Sequence, residues 1–458
     1  MFFSMRRVAV AAALLTLLLA TVIACAPSAE PAAQTDSSAA SSSSTEQTAD
    51  QASATDAPAA ADSSATASST GSDADRATDA PAASQPTTAP AVNIPVNTNI
   101  PNIEGIDAWL NTDMELQIAE LTAQGKVVLI DFWTYTCINC VRTLPFLREW
   151  WARYEDDGLV ILGIHTPEFE FEKDYQNVAD AITTHNIGWP VAQDNNRVTW
   201  RNFENRYWPA KYLFNSRGEQ IYSHFGEGRY GETEQQIRNA LVEAGADLSD
   251  DPLNLPEDQA RDQAFQDAGS MLGRAALTRE LYAGWHRNFL TARAGRQPYV
   301  AQQEYFDAIL DQENRSEAST GVIDVTVPQD IQPHQLYFQG QWSVEPERIR
   351  HARVTENLED YLALNYAAKS VNAVLTSDSG EPYQVVVTVD GAMLTPENAG
   401  NDVQWDERGY SYINVDEPRL YELVDNPEYL PSSVLIMRSD SDDFGLFAFT
   451  FGVYAEGP

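Results

Sequence analysis

Cysteine is scarce in this chain: Cys25, Cys137 and Cys140 are all there are among 458 residues. Three are too few for a disulfide-stapled scaffold, so a hydrophobic core must hold the fold. Basic residues are also short, with Lys+Arg 29 against Asp+Glu 67, a formal net charge of -38 and almost no lysine. Nucleic-acid binding depends on neutralising phosphates with Lys and Arg, and a polyanion of this size is excluded from it. The acidity suits a salty habitat and bears on solubility, not on mechanism. Against these shortages stand a 43% hydrophobic and a 10% aromatic content. That is enough to bury cores, and the length suits two or three domains.

The N-terminus reads MFFSMRRVAVAAALLTLLLATVIACAPS. Arg6 and Arg7 form a basic stretch ahead of an unbroken apolar run from Val8 to Ala24, the pattern of a secretory signal near the lower limit for a bilayer span. The run ends Val22-Ile23-Ala24-Cys25, so residues 1–25 resemble a bacterial lipoprotein signal in which Cys25 is lipidated and becomes the mature N-terminus. The competing reading is an uncleaved transmembrane anchor. Either one places the rest of the chain outside the cytoplasm, membrane-attached at the periplasm or the outer face of the cytoplasmic membrane. Residues 26–92 are Ala, Ser, Thr, Asp and Pro with almost no large apolar side chain. Such a segment cannot offset its ordering entropy and is expected to be a disordered tether, or a glycosylated stalk.

A first folded domain is expected over residues 93–248. Ile106 to Leu121 has apolar residues at helical spacing, and Lys126-Val-Val-Leu-Ile-Asp-Phe132 reads as a buried strand. Next comes Trp133-Thr-Tyr-Thr-Cys137-Ile-Asn-Cys140-Val-Arg-Thr-Leu-Pro145, continuing as a helix towards Tyr154 and kinked by its proline. Cys137 thus starts a helix, with Cys140 one turn inside. Unpaired N–H groups and the helix dipole favour an anion there, lowering a thiol pKa from ~8.5 into a range of roughly 3.5–7.5. A thiolate at Cys137 can attack a disulfide, and Cys140 can resolve the mixed disulfide. A zinc or copper site drawing on His165, His185 or His224 competes, but no second cysteine pair or usual ligand spacing supports it. Asp131 is a lone carboxylate ending an apolar strand, costly to bury and expected to have a raised pKa. Its alternative is a strand end that reaches water, and that of Trp133 is plain packing. His165 and Glu168 follow a second apolar strand, Leu159–Ile164, either on the rim of the site or in an ordinary surface loop.

Asp131-Phe-Trp133, the cysteine pair and Pro145 together resemble the thioredoxin active-site segment. The phrases WTYTCINC, HTPEFEFEKD, NRYWPAKYL and HFGEGRYGETE are similar to the TlpA/ResA-like extracytoplasmic thioredoxins, above all the DipZ-type module. The resemblance implies an α/β thioredoxin fold, a mixed sheet flanked by helices. It makes Asp131 the buried acid assisting the resolving thiol. Pro209 becomes a cis-proline facing the pair, an ordinary trans-proline being the alternative, and the Trp208 backbone pairs with a substrate strand. It further implies protein thiols and disulfides as substrates, no cofactor beyond the Cys137–Cys140 disulfide, and a membrane electron donor of the CcdA/DsbD type acting in trans. One departure stands out: Thr136 replaces the tryptophan that precedes the first cysteine in thioredoxins. Neither Ile138 nor Asn139 adds positive charge beside Cys137, which favours a reductase over an oxidase.

Residues 249–297 read as a helical connector containing Leu281-Tyr-Ala-Gly-Trp285. Residues 298–458 are short alternating segments punctuated by Gly, Pro, Asp and Asn, with a turn at Asp390-Gly391, and predict an all-β sandwich or jelly roll. Its fragments VVVTVDGAML, RLYELVD and LFAFTFG resemble the carbohydrate-binding-module-like domain of DipZ proteins. Trp342 and Trp405 are either sugar-stacking residues or packing residues. A thiol peroxidase would want a proline where Ile130 stands, and is rejected. The remaining alternative is a cell-surface glycan- or protein-binding module whose thioredoxin domain is structural.

Overall fold

A computed structural model describes residues 100–251, 253, 277–312 and 321–452, which fall within one compact unit. The expected signal, Cys25 and the 26–92 tether lie outside the described residues. Among the described residues no helix is long and apolar enough to cross a membrane.

The first domain is built on six strands ordered β1-β4-β3-β2-β5-β6. They are β1 Ala108–Leu110, β2 Val127–Trp133, β3 Leu159–His165, β4 Val191–Gln193, β5 Ala210–Phe214 and β6 Gln220–Phe225. β2, β3 and β4 run parallel, while β1, β5 and β6 pair antiparallel. Every residue of β2 is buried, because helices and loops cover both faces of a central strand. Its side chains alternate between two cores. Val127, Leu129 and Trp133 join Leu147, Trp150, Ile237 and Leu241, whereas Val128, Ile130 and Phe132 join Trp200, Phe203 and Phe214. The helices are α1 Ile118–Ala123, α2 Ile138–Val141, α3 Leu144–Tyr154, α4 Tyr175–Thr184, α5 Val198–Asn202 and α6 Tyr230–Ala244. This is a thioredoxin-like fold.

Two expectations need correction here. The helical spacing from Ile106 to Leu121 does not give one helix: Ala108–Leu110 is an edge strand pairing Trp109 with Ala192, and α1 begins only at Ile118. Asn111 ends the strand in the left-handed region at φ 58°, its amide donating to the carbonyls of Ile187 and Trp189. Partners some eighty residues away overrode the local periodicity. The helix after the cysteines is broken rather than kinked. α2 stops at Val141 and α3 restarts with Pro145 in its first turn, where a missing N–H leaves no bond unmade. Both the N–H and the hydroxyl of Thr143 donate to the Cys140 carbonyl across the break, at 2.9 and 2.8 Å.

The second domain is all-β, an eleven-stranded sheet among the described residues. Its strands are β7 Leu281–Tyr282, β8 Gly321–Val325, β9 Leu336–Val344, β10 Ile349–His351, β11 Tyr361–Thr376, β12 Tyr383–Val389, β13 Ala392–Met393, β14 Val403–Trp405, β15 Ser411–Val415, β16 Arg419–Arg438 and β17 Gly445–Gly452. They pair antiparallel throughout. Tyr361–Leu364 of β11 pair with β9 and Ser370–Thr376 with β17, with irregular register against β16 in between. One long strand thereby serves two partners on the same edge, and the sheet curls around a core containing Phe338, Trp342, Val371, Tyr421 and Phe449. Asp390 and Gly391, both at positive φ, make the expected turn between β12 and β13.

The expected 249–297 connector also changes at its C-terminal end. Leu281 and Tyr282 pair with Phe449 and Ala448 of β17, and Trp285–Arg293 forms a helix, α7, that belongs to the β domain. A second helix, α8, spans Gln303–Gln312. A strand of two residues is too short to show a sequence period, so only pairing reveals it.

Candidate active site

Cys137 is the N-cap of α2, with φ -82° and ψ 107°, and is half-buried, whereas Cys140 is fully buried. The strand-to-helix turn that produces this follows from β2 ending in a loop, Thr134–Thr136, closed by the Cys137 N–H donating to the Thr134 carbonyl at 3.3 Å. The Cys140 N–H donates to the Cys137 Sγ at 3.2 Å. Both cysteines are free thiols. Burial pushes the Cys140 thiol well up, and the neighbouring Cys137 adds to it. The accessible sulfur can attack, and the buried one keeps its proton until a base takes it.

Asp131 is a buried carboxyl close enough to Cys140 to act on its charge. Its side chain is 1% exposed, and burial raises its carboxyl while Lys211 opposes the rise. Lys211 sits opposite it in the β2–β5 register, Nζ to Oδ1 3.3 Å. The chain has four lysines, and one of them is buried here. That signal was present in Ala210-Lys-Tyr-Leu-Phe214, an otherwise apolar strand, and sequence reasoning passed over it.

The Trp208–Pro209 peptide bond is cis. The Trp208 indole N–H donates to the Thr166 carbonyl at 3.1 Å, its ring packs on Trp200, and the Arg197 guanidinium lies 5.0 Å from its centroid. The Thr166 N–H in turn donates to the Trp133 carbonyl at 3.0 Å. Thr166 thus stitches the end of β2 to the cis-proline segment, so Trp133, Trp208 and Pro209 meet at one end of the sheet. Trp133 itself is fully buried, edge-on to His165 at 5.3 Å.

His165 and Glu168 are not on an open rim. His165 is fully buried, its ring stacked on Tyr135 at 5.6 Å and its Nε2 3.3 Å from the Thr134 hydroxyl. Burial pushes it down to about 3, so it is neutral wherever the thiols react. Glu168 turns to the second domain and accepts from the Tyr282 hydroxyl and from Arg287, both at 2.8 Å. A loop that reads as surface in the sequence is covered by another domain.

Two further residues reach the cysteine segment unannounced. Arg142, two residues past Cys140, is buried between Glu227 at 3.8 Å and Ser370 of β11 at 3.4 Å. Glu172 lies in a 3-10 turn, Glu170–Lys173, and accepts the hydroxyl of Thr136 at 2.5 Å. Among the described residues no cluster of three or more His, Cys, Asp or Glu is placed to hold a metal ion.

Residues 96–222 match the AhpC/TSA family, and residues 278–452 match the thioredoxin-like C-terminal domain. The protein DipZ of Mycobacterium tuberculosis is 31% identical over 352 residues, covering 77% of this chain and 42% of DipZ. The chain therefore spans less than half the length of that relative. The thiol-disulfide oxidoreductase YkuV of Bacillus subtilis is 28% identical over 144 residues, 31% of this chain and 95% of YkuV. The thiol-disulfide oxidoreductase ResA of Bacillus cereus is 24% identical over 131 residues, 28% of this chain and 70% of ResA. The likeness to DipZ and ResA that the motifs carried extends, for DipZ, through both domains.

Proposed function

We propose that this chain, which carries an AhpC/TSA-type thioredoxin-like domain and is homologous to DipZ, is a thiol–disulfide oxidoreductase acting on protein substrates through Cys137 and Cys140. The observation that carries the reading is the unequal pair. One sulfur is accessible at the start of a helix, and the other is buried one turn inside, near a buried carboxyl. The Cys137 thiolate attacks a substrate disulfide, a new S–S bond forms, and the first substrate sulfur leaves as a thiol after taking a proton. Cys140 then passes its proton to Asp131 and attacks the Cys137 Sγ, releasing the second substrate thiol and leaving the enzyme disulfide. The substrate gains two electrons and the pair loses two.

Net reduction is the favoured direction, because Ile138 and Asn139 add no cation that would stabilise Cys137 as a thiolate. Each cycle then needs a dithiol donor, and a membrane carrier of the CcdA/DsbD type acting in trans fits. The sequence of residues 1–25 supports an extracytoplasmic site with lipid attachment at Cys25. Replacing Cys25 with serine is expected to abolish lipid labelling, and unchanged labelling defeats that part. A glycan at the second domain would have to use exposed aromatics such as Trp405, since Trp342 is fully buried.

The test is insulin reduction by wild type, Cys137→Ser and Cys140→Ser. Both variants are expected to lose activity, and Cys140→Ser to retain substrate as a mixed disulfide. Equal activity in all three would favour a binding module with a structural thioredoxin domain.

A further inference from the structure

Glu172 is a fully buried carboxyl that the exchange chemistry above does not use. Its Oε1 accepts the Thr136 hydroxyl at 2.5 Å, and its Oε2 accepts the N–H groups of Glu168 and of Phe169, the latter at 3.0 Å. It makes no ion pair among the described residues, unlike Asp131. Placing a carboxylate in such surroundings is expensive. Capping a turn of four residues, Glu170–Lys173, does not account for it, since an exposed Asp or Ser caps as well. What the burial achieves is contact with Thr136, the residue next to Cys137.

The loop ahead of the cysteines is then held from two sides. Thr134 touches His165 Nε2, and Thr136 bonds Glu172. The turn carrying Glu172 is itself fixed by the second domain. Phe169, just before it, and Phe171, within it, pack on Phe447 of β17, at 5.1 and 4.9 Å between centroids. The Glu170 N–H donates to Glu347, and Glu168 bonds Tyr282 and Arg287. The charged and titratable groups acting on Glu172 or its near neighbours are Glu168, Asp174, Arg197 and Arg287, with Tyr135 and neutral His165 beside the loop.

We propose that Glu172 is a positioning residue of the redox pair: it fixes Thr136, and with it the Cys137 sulfur at the start of α2, and it holds a second buried acid against the residue that precedes the attacking thiol. This deepens the exchange reading and rests on it. A carboxylate there disfavours a second negative charge on the neighbouring sulfur, which keeps the dithiol reducing. Burial pushes the Glu172 carboxyl up to about 7, so the influence varies over the pH range where thiols work. The second domain acquires a role as well, since it anchors the turn that holds this acid.

The test reads Cys137 directly in the full chain. In a Cys140→Ser background, Glu172→Gln is expected to raise the iodoacetamide alkylation rate by about threefold or more at pH 8, where the carboxyl is ionised, and to leave it nearly unchanged at pH 6. With both cysteines present, the same substitution is expected to shift the glutathione equilibrium towards the dithiol by about as much. Thr136→Val keeps the acid but cuts its link, and is expected to move both readouts in the same direction by about twofold. Wild-type alkylation profiles and glutathione equilibria in the folded variants would overturn the proposal and leave Glu172 a turn cap. If Glu172→Gln does not fold, Thr136→Val decides by the same criterion. Neither readout needs a protein substrate, so a chain inert towards insulin but shifted at Cys137 would sink the exchange reading alone.

Discussion

Asp131 and Lys211 face each other across β2 and β5, 3.3 Å apart, with side chains 1% and 2% exposed. Neither the Asp131 Oδ1 nor the Lys211 Nζ makes an aligned hydrogen bond. The lysine therefore acts as a charge in the floor of the site, moderating a carboxyl that burial raises. Protonating Asp131 would leave Lys211 buried without its counter-charge, which is why the lysine opposes the rise.

Lys211→Met should destabilise the protein by about 3–5 kcal/mol, because it leaves the carboxyl buried without its partner. Urea denaturation at neutral pH measures this. The double variant Asp131→Leu with Lys211→Met should recover much of the stability but resolve mixed disulfides slowly. A loss below about 1 kcal/mol in Lys211→Met would mean that water reaches the pair.

The pH dependence of stability should carry the signature of Glu172. Its carboxyl stands at about 7 when folded against 4.5 as an ordinary glutamate. Between those values the folded state binds more protons than the unfolded one, so this group's contribution to stability falls as pH rises. The loss amounts to about 3 kcal/mol across the window. Glu172→Gln should remove that slope. His165, pushed down to about 3 from 6.5, acts oppositely and loses stability as pH falls through that range. The difference between wild type and Glu172→Gln, followed by urea midpoints from pH 4.5 to 8, isolates the acid. Parallel curves would defeat the prediction.

Phe447→Ala should cost about 3–5 kcal/mol, since the ring is buried and both Phe169 and Phe171 rest on it. Thermal unfolding followed at the two domains separately should then lose its coincidence. A single unchanged transition would show that the polar contacts alone hold the domains together.

Gly452 ends β17 where a Cβ would run into the Ser370 hydroxyl and the Arg142 guanidinium. Gly452→Val should displace Arg142 from its place beyond Cys140, destabilise by about 1–3 kcal/mol and slow insulin reduction. Wild-type activity in the folded variant would show that this anchor does not matter to the pair.

Several features depended on sequence alone. The apolar run of β2, a helix opening at Cys137 with Cys140 one turn in, and the cis-proline segment after Trp208 follow from local pattern and motif. So does the alternation of the second domain, although the expected short segments include β11, a single strand of 16 residues. Period and turn chemistry act over a few residues, and a sequence displays them directly. Which side chains share a site is another matter. Lys211 lies under Asp131 because β2 and β5 pair in one register, and Glu172 reaches Thr136 because a turn 36 residues on folds back over the loop. Glu168 leaves the redox site for Tyr282 and Arg287 because a second sheet covers its loop. Burial and neighbouring charge, which set each group's protonation, arise only when distant segments pack, and so tertiary structure alone decided them.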